Sequence, residues 1–146
     1  KTADYIRGDE AFCFTYGDGL GDIDVTASIE FHRAHGKAAT VTAVVPPGRF
    51  GALEQTGEVV TRFSEKPPGD GNLINGGFFV LSPQCLELIE GDSSNWEGYP
   101  MKTLAEQGNL MAFEHRGFWQ PMDTLREKYQ LQALWDQGRA PWKLWS

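Results

Sequence analysis

Residues 12–19, FCFTYGDG, constrain the fold more than any other part of the chain. The apolar and β-favouring residues at the start of this stretch predict a buried strand, and the Gly17-Asp18-Gly19 turn ends that strand abruptly. In an open α/β sheet, ligands bind beyond the carboxyl ends of the strands, so Asp18 is well placed to offer a carboxylate to a ligand or a cation. The alternative is an ordinary Asx turn, because Asp and Gly dominate tight turns in any protein.

The residues that follow predict further strands and helices in the alternating order of an α/β protein. Asp22 or Asp24 caps a helix that Gly36 ends, and residues 38–45 form a strand rich in Val and Thr, so a parallel crossover fits this unit. The remaining predicted elements are a hairpin (52–54 and 59–63, with its turn at 55–57), a strand (73–81), a helix opened by Ser82-Pro83, a helix (100–107), a strand (110–114), an extended piece (118–123) and a last helix that starts with the capping box Thr124-Leu125-Arg126-Glu127.

Composition indicates a single domain over residues 1–146 and argues against two classes of partner. The net charge is −7 and the 13 Lys and Arg residues are scattered, which argues against a nucleic-acid surface. No apolar run approaches the ~20 residues that cross a bilayer. Cys13 and Cys85 lack the close spacing of zinc or redox motifs, so both are predicted to be reduced core residues of a cytosolic protein.

A second carboxylate, Asp123, stands immediately before the capped last helix. Thr124 already supplies the cap, so Asp123 is not needed for that purpose, and this favours a ligand role. If the Asp18 and Asp123 carboxylates face one site about 4 Å apart, their repulsion is about 4 kcal/mol at an effective dielectric near 20, and a bound dication removes it. Mg²⁺ is the natural candidate, because it takes one or two carboxylates and leaves its other positions to waters and substrate phosphates.

Lys66 and Asn75 are polar residues that each have two interpretations. Lys66, which Pro67 follows, is either a solvated surface lysine or a charge held near a phosphate. Asn75, which precedes two glycines, either offers its amide to sugar hydroxyls or forms a routine turn.

The histidines and an Asp-x-Asp pattern are interpreted as structural. His32, His35 and His115 lack an evident acidic or thiol partner in the sequence. Asp22 and Asp24 match the metal pattern of many sugar-nucleotide glycosyltransferases, although a helix cap explains them more simply.

Five motifs, taken in order along the chain, resemble those of the sugar-1-phosphate nucleotidyltransferases. They are TYGDG (15–19), PGRFG (47–51), EKP (65–67), INGGFFV (74–80) and GFWQPMDT (117–124). Each motif alone is weak, but five in the right order and at approximately the right spacing form a specific signal that covers nearly the whole chain. The variants NGGFF and FWQPMDT are similar to those of family members that use CTP and glucose 1-phosphate.

The resemblance implies a Rossmann-like α/β fold with a mixed sheet and flanking helices. It also implies that Asp18 and Asp123 hold Mg²⁺ and that Lys66 contacts the sugar phosphate. The residues expected to bind the substrate are Gly51, Glu65, Asn75, Gly76 and Trp119. The implied reaction is in-line attack by a phosphate oxygen of glucose 1-phosphate on the α-phosphorus of CTP, with release of pyrophosphate. Members of this kind are expected to be cytoplasmic homo-oligomers that make CDP-glucose for dideoxysugar synthesis.

One family feature has no counterpart in the sequence. The family begins with a Gly-rich loop and a downstream lysine that bind the nucleoside triphosphate, and nothing like them precedes Lys1. The expectation is therefore a fold incomplete at its N-terminus, which keeps the sugar side and both metal carboxylates but has no useful activity alone. Two other function classes stay open, namely a metal-dependent glycosyltransferase that uses Asp22 and Asp24 and a non-catalytic sugar-phosphate-binding domain.

Overall fold

The computed structural model describes residues 3–6, 8–48, 52–64 and 73–145. Their contacts divide into two compact units whose segments alternate along the sequence. The first unit comprises Lys1–Gly17, Asp24–Ala43 and Asn75–Glu114, and the second comprises Asp18–Ile23, Val44–Ile74 and His115–Ser146. The single domain over residues 1–146 stays a prediction.

The elements follow the predicted order, except that the short strand Gly19–Gly21, which begins at the end of the Gly17-Asp18-Gly19 turn, was not predicted, and the helix predicted after Ser82 is a 3-10 helix. They are α1 (Ala3–Ile6), β1 (Phe12–Thr15), β2 (Gly19–Gly21), α2 (Val25–His35), β3 (Ala39–Val44), β4 (Ala52–Thr56), β5 (Val59–Ser64), β6 (Ile74–Leu81), a 3-10 helix (Pro83–Leu88), α3 (Tyr99–Glu106), β7 (Leu110–His115), β8 (Trp119–Pro121) and α4 (Leu125–Asp136). The prediction of a mixed α/β fold with flanking helices is confirmed.

A four-stranded sheet in the order β1-β6-β3-β7 forms the centre of the first unit. β1 pairs with β6 in antiparallel fashion, from Phe12 opposite Leu81 to Thr15 opposite Phe78. β3 lies inside the sheet and is buried along its whole length, which is typical of a strand covered on both faces. Because β6 lies between β1 and β3, these two strands are not the adjacent pair of a simple crossover.

The hydrophobic core of the first unit is built around the middle of this sheet. The Trp96 ring meets the Phe79 ring edge to face at 5.7 Å and the Phe14 ring at 6.0 Å. Such aromatic pairs contribute about 0.5–1.5 kcal/mol beyond the area they bury. The buried members of this cluster are Ala38, Ala39, Val41, Phe79, Leu81, Cys85, Trp96 and Leu104.

Side-chain caps fix where α2 and α4 begin. The Asp24 carboxylate accepts the Ala27 backbone N–H at 2.9 Å, so Asp24 rather than Asp22 caps α2, and Gly36 ends that helix at φ 64°. The predicted capping box of α4 is present, because the Thr124 hydroxyl accepts the Glu127 N–H while the Glu127 carboxylate accepts the Thr124 N–H. Caps of this kind stabilise a helix by about 1 kcal/mol.

The second unit contains two antiparallel ribbons, β2–β8 and β4–β5. The predicted hairpin is present as β4–β5, with strands longer than expected and a shorter turn, at Gly57 and Glu58 rather than at 55–57. Gly57 adopts φ 61°, a left-handed conformation that favours glycine. The apolar C-terminal segment packs within this unit, because the Trp142 ring stacks on Phe118 at 5.5 Å.

Three expectations about which side chains are buried or cap a helix were wrong. Cys13 is exposed rather than in the core, because alternation along β1 turns Cys13 and Thr15 away from the buried side. The Ser82 hydroxyl makes no cap hydrogen bond and contacts a histidine instead. The apolar residues of these helices were expected to form their buried faces, but Ile89 after Ser82 and Leu125, Tyr129 and Trp135 of α4 are exposed, and Leu131 is the buried residue of α4.

No helix in the described part of the chain is long and apolar enough to cross a membrane.

Candidate active site

The β2–β8 ribbon of the second unit carries the two predicted metal carboxylates at one of its ends. Gly19 lies opposite Pro121 and Gly21 opposite Trp119. Beyond the Gly19–Pro121 pair, the Met122 backbone N–H donates to the Asp18 carbonyl at 2.7 Å. Asp18 therefore faces the residue that precedes Asp123, and the ribbon brings together the backbones of two acidic residues that lie far apart in the sequence.

Asp18 and Asp123 are both exposed, and neither is needed to cap a helix. The Glu127 carboxylate accepts the backbone N–H groups of Asp123 and Thr124, at 3.0 and 2.9 Å, so Thr124 and Glu127 complete the cap. Among the residues described, no group of three or more His, Cys, Asp or Glu is arranged to hold a metal ion. A pair of hard carboxylate donors fits Mg²⁺, which takes only one or two protein carboxylates beside waters and phosphates.

Trp119 lies at the opposite end of the same ribbon. It pairs with Gly21, three residue pairs from Asp18, which is roughly 10 Å along a strand. Its side chain is half-buried. The structure thus places Trp119 on the element that carries the carboxylates but not beside them.

Asp22, His115 and Gly117 form a tight contact at the Trp119 end of the ribbon. The Phe118 carbonyl accepts both the Asp22 N–H, at 3.2 Å, and a bond from His115 Nε2, at 3.1 Å. Asp22 Oδ1 lies 2.9 Å from the same His115 nitrogen but makes no hydrogen bond to any described residue, so this contact is electrostatic and depends on a protonated His115. A Cβ on Gly117 would lie 2.5 Å from Asp22 Oδ1, so only glycine fits there without a shift.

The contacts of Asp22 and Asp24 bear on whether these two residues form a metal-binding pair. Asp24 is committed to the α2 cap in the first unit, and Asp22 belongs to the second unit beside His115. Each residue thus has a structural partner of its own. The acidic partner of His115 escaped the sequence analysis because the two residues are 93 positions apart and meet only through the ribbon register.

In the first unit, Asn75 belongs to a hydrogen-bonded triad with Tyr16 and Glu97. The Asn75 amide nitrogen donates to Glu97 Oε1 at 3.0 Å and to the Tyr16 hydroxyl at 3.3 Å, and the Tyr16 hydroxyl donates to the same Glu97 oxygen at 2.9 Å. Asn75 Oδ1 accepts the Gly77 backbone N–H at 2.9 Å. Gly76 is buried beside this triad in β6.

Tyr16 and Glu97 were missed as candidates for the site. Tyr16 lies within one of the recognised motifs, but Glu97 lies in a loop that the sequence analysis left without a role. The only sequence signal for Glu97 was its position next to Trp96, and a single Glu in a loop is usually a solvated surface residue. Gly51, Glu65 and Lys66 lie outside the described residues, so their predicted roles stay predictions.

A buried hydrogen-bond chain links two histidines of α2 to the sheet in the first unit. The His35 Nδ1 accepts the Lys37 backbone N–H at 2.9 Å, so the proton of neutral His35 is on Nε2 and is donated to the Thr40 hydroxyl at 2.7 Å. The Thr40 hydroxyl then donates to His32 Nδ1 at 2.9 Å, and His32 Nε2 donates to Ser82 at 3.2 Å. The chain is satisfied when both rings are neutral.

The surroundings of these histidines favour the neutral form. Burial lowers the pKa of His32, the neighbouring His35 lowers it further, and the Glu10 carboxylate opposes both effects. Burial likewise lowers the pKa of His35, with a smaller contribution from Lys37. These two histidines therefore stabilise the sheet and helix rather than a ligand, as the sequence analysis expected.

Comparison with known proteins identifies the family. Residues 1–133 match the family model described as nucleotidyl transferase, so the chain belongs to the nucleotidyl transferase family. It is 61% identical over 145 residues to the glucose-1-phosphate cytidylyltransferase of Salmonella typhimurium, covering 99% of this chain and 56% of that protein. It is 33% identical over 129 residues to the mannose-1-phosphate guanyltransferase of Candida albicans, covering 82% of this chain and 36% of that protein.

The chain spans about half the length of the Salmonella relative. Among solved structures, HddC from Yersinia pseudotuberculosis superposes with a TM-score of 0.61 at 22% identity, covering 88% of this chain and 56% of that one. At this identity the likeness shows a shared fold.

Proposed function

We propose that the chain forms the sugar-phosphate and metal side of a glucose-1-phosphate cytidylyltransferase. The observation that carries this proposal is the 61% identity over nearly the whole chain to an enzyme of that name. The reaction joins a phosphate oxygen of glucose 1-phosphate to the α-phosphorus of CTP. The bond from that phosphorus to the bridging oxygen of the β-phosphate breaks, so that CDP-glucose forms and pyrophosphate leaves.

In this proposal the Asp18 and Asp123 carboxylates hold Mg²⁺ at the end of the β2–β8 ribbon. Mg²⁺ would neutralise phosphate charge, and such electrostatic stabilisation is the main contribution that a protein makes to phosphoryl transfer. The ribbon supports the assignment because the Met122-to-Asp18 hydrogen bond holds the two backbones at one place. The exposure of both carboxylates leaves them accessible to a metal–phosphate complex.

The remaining predicted residues act on glucose 1-phosphate. Lys66 is proposed to place a positive charge against the sugar phosphate, and Glu65 and the Gly51 backbone are proposed to hold the glucose ring. Gly76 and Trp119 complete the proposed substrate-binding set, and Asn75 contributes through the side chains that its amide holds. We further propose that the whole enzyme is a cytoplasmic homo-oligomer and that its CDP-glucose serves dideoxysugar synthesis.

Pyrophosphate release by the full-length gene product tests this function. We expect release with CTP and glucose 1-phosphate, a much lower rate with UTP or dTTP, and loss of activity when Mg²⁺ is chelated. The chain of 146 residues by itself should release pyrophosphate far more slowly. Equal rates with all nucleotides, or no release with CTP, would refute the assignment.

A paired substitution separates this function from the glycosyltransferase alternative. Metal binding, measured with Mn²⁺ by electron paramagnetic resonance, should be lost in Asp18→Asn and retained in Asp22→Asn. The opposite pattern would favour a metal pair at Asp22 and Asp24. Binding of glucose 1-phosphate without any turnover in the full-length gene product would favour the non-catalytic binding domain.

A further inference from the structure

The triad of Tyr16, Asn75 and Glu97 holds an exposed carboxylate in one position. Its members come from three separate parts of the first unit, since Tyr16 follows β1, Asn75 lies in β6 and Glu97 precedes α3. The hydrogen bonds join residues that are 81 and 22 positions apart in sequence. Holding an exposed glutamate still costs side-chain entropy, so charge-assisted hydrogen bonds must offset that cost.

Only one oxygen of the Glu97 carboxylate is used within the triad. Oε1 accepts both the Tyr16 hydroxyl and the Asn75 amide, at 2.9 and 3.0 Å. Within the described chain, no interaction engages Oε2. The triad therefore presents a charged acceptor in a fixed position on an exposed side chain, and a ligand hydroxyl can bind such an acceptor at little further cost in ordering.

The Asn75 amide has little donor capacity left for a ligand. Both donors of its nitrogen are used, on Glu97 and Tyr16, and its oxygen accepts the Gly77 N–H. Asn75 is therefore a positioning residue that holds Glu97. This differs from the sequence expectation, in which the Asn75 amide itself binds the sugar.

The position of Tyr16 depends in turn on the glycine at Gly77. A Cβ at Gly77 would lie 2.8 Å from Cδ2 of the Tyr16 ring, and φ at Gly77 is 77°, which side-chain-bearing residues rarely adopt. The Tyr16 backbone N–H also donates to the Gly77 carbonyl at 2.9 Å. On its other sides the ring packs against Phe14 and Phe79. Gly77 and the neighbouring rings thus fix the position of the hydroxyl that holds Glu97.

We infer that Glu97 Oε2 accepts a hydrogen bond from a ring hydroxyl of the sugar 1-phosphate. This inference rests on the proposed function, because that function is what brings a sugar to β6. The neighbours of Glu97 in the triad are a neutral hydroxyl and a neutral amide, which suits a neutral hydroxyl donor. They supply no further carboxylate for a metal, in keeping with the absence of a three-member metal group among the described residues.

Steady-state kinetics with deoxy analogues test the inference in the full-length gene product. The substrates are glucose 1-phosphate and its monodeoxy analogues, and the variants are Glu97→Gln, Tyr16→Phe and the control Glu90→Gln. Glu90 is exposed and lies seven residues before Glu97. Urea unfolding of each variant checks that it is folded under assay conditions.

For the wild type, kcat/KM should fall roughly tenfold to hundredfold on one monodeoxy analogue, the range for a hydrogen bond to a charged group. Glu97→Gln should lose a similar factor on glucose 1-phosphate and should no longer distinguish that analogue. Tyr16→Phe should show the same pattern to a smaller extent, because Asn75 still holds Glu97. Glu90→Gln should behave as the wild type.

Two kinetic outcomes would overturn the inference. One is an unchanged discrimination pattern in Glu97→Gln, and the other is an equal loss on every analogue, which a purely structural role predicts. If the wild type releases no pyrophosphate at all, the proposed function fails instead. Calorimetry with glucose 1-phosphate then tests the inference. Equal affinities of the wild type and of Glu97→Gln for glucose 1-phosphate would contradict it.

Discussion

The buried histidine chain of α2 makes the stability of the protein sensitive to acid. His32 is only 4% exposed, and its Nδ1 accepts the Thr40 hydroxyl. A proton on that nitrogen would turn an acceptor into a donor facing the same hydroxyl. On His35, an added Nδ1 proton would face the Lys37 N–H in the same way. Acid therefore favours states in which these rings are exposed to water.

The sign of the effect follows from the lowered pKa of His32. Below the ordinary histidine pKa of about 6.5, the unfolded chain takes up a proton that the folded protein refuses. The free energy of unfolding therefore falls as the pH drops below that value, with a limiting slope of about 1.4 kcal/mol per pH unit for one proton. The loss ends once the pH is below the lowered pKa. His35 adds less, because it is half-buried and water screens it.

Urea unfolding between about pH 7.5 and about pH 5 measures this slope, with His32→Gln as the test variant. Gln can replace both hydrogen bonds of the ring and cannot titrate, so the loss of stability per pH unit should become smaller, by at most about 1.4 kcal/mol per pH unit. Ser28→Ala is the matched control, because Ser28 is buried on the same helix and carries no titrating group. If His32→Gln and the wild type lose stability in parallel below about pH 6.5, the reasoning is refuted.

Three further predictions concern the ribbon, the thiols and the metal carboxylates. Gly117→Ala should lower the free energy of unfolding by about 1–3 kcal/mol, because the added Cβ would meet Asp22 and His115. Gly91→Ala should change it little, because no atom lies within 4 Å of the added Cβ, and equal effects of the two substitutions in urea unfolding would contradict the contact. Cys13 should react with a thiol reagent in the folded protein and Cys85 should not, since Cys85 is 1% exposed and burial raises its pKa to about 11; two equally fast thiols would contradict this. Asp18→Asn should lower kcat at least about a hundredfold in the full-length gene product, about 2.7 kcal/mol of barrier, and near-normal turnover would exclude the metal role.

Local chemistry made the elements of this fold predictable from sequence. The capping box at Thr124, the terminal glycine at Gly36 and the Val- and Thr-rich strand at 39–44 each depend on interactions within a few residues. Their positions agree with the predicted ones to within about two residues. The motif order likewise placed the chain in its family before any comparison.

Features that depend on long-range pairing were not predictable. The exposure of Cys13 depends on which face of β1 is covered, and a strand pattern of four residues does not determine that. The pairing of His115 with Asp22 and of Tyr16 with Glu97 depends on strand register and loop placement. Asn75 was predicted to offer its amide to the sugar, and its sequence context could not reveal that this amide is already engaged within the protein.

The β2–β8 ribbon also has a consequence for folding. Its strands have three residues each, and their pairing closes a loop of about 100 residues between Asp18 and Asp123. Closing a flexible loop of that length costs about 4 kcal/mol of chain entropy, more than so short a ladder offsets by itself. A ligand that binds both carboxylates acts as a reversible cross-link between the two ends of this loop. In the proposed function, the concentration of the metal–substrate complex therefore determines how firmly the two strands stay paired.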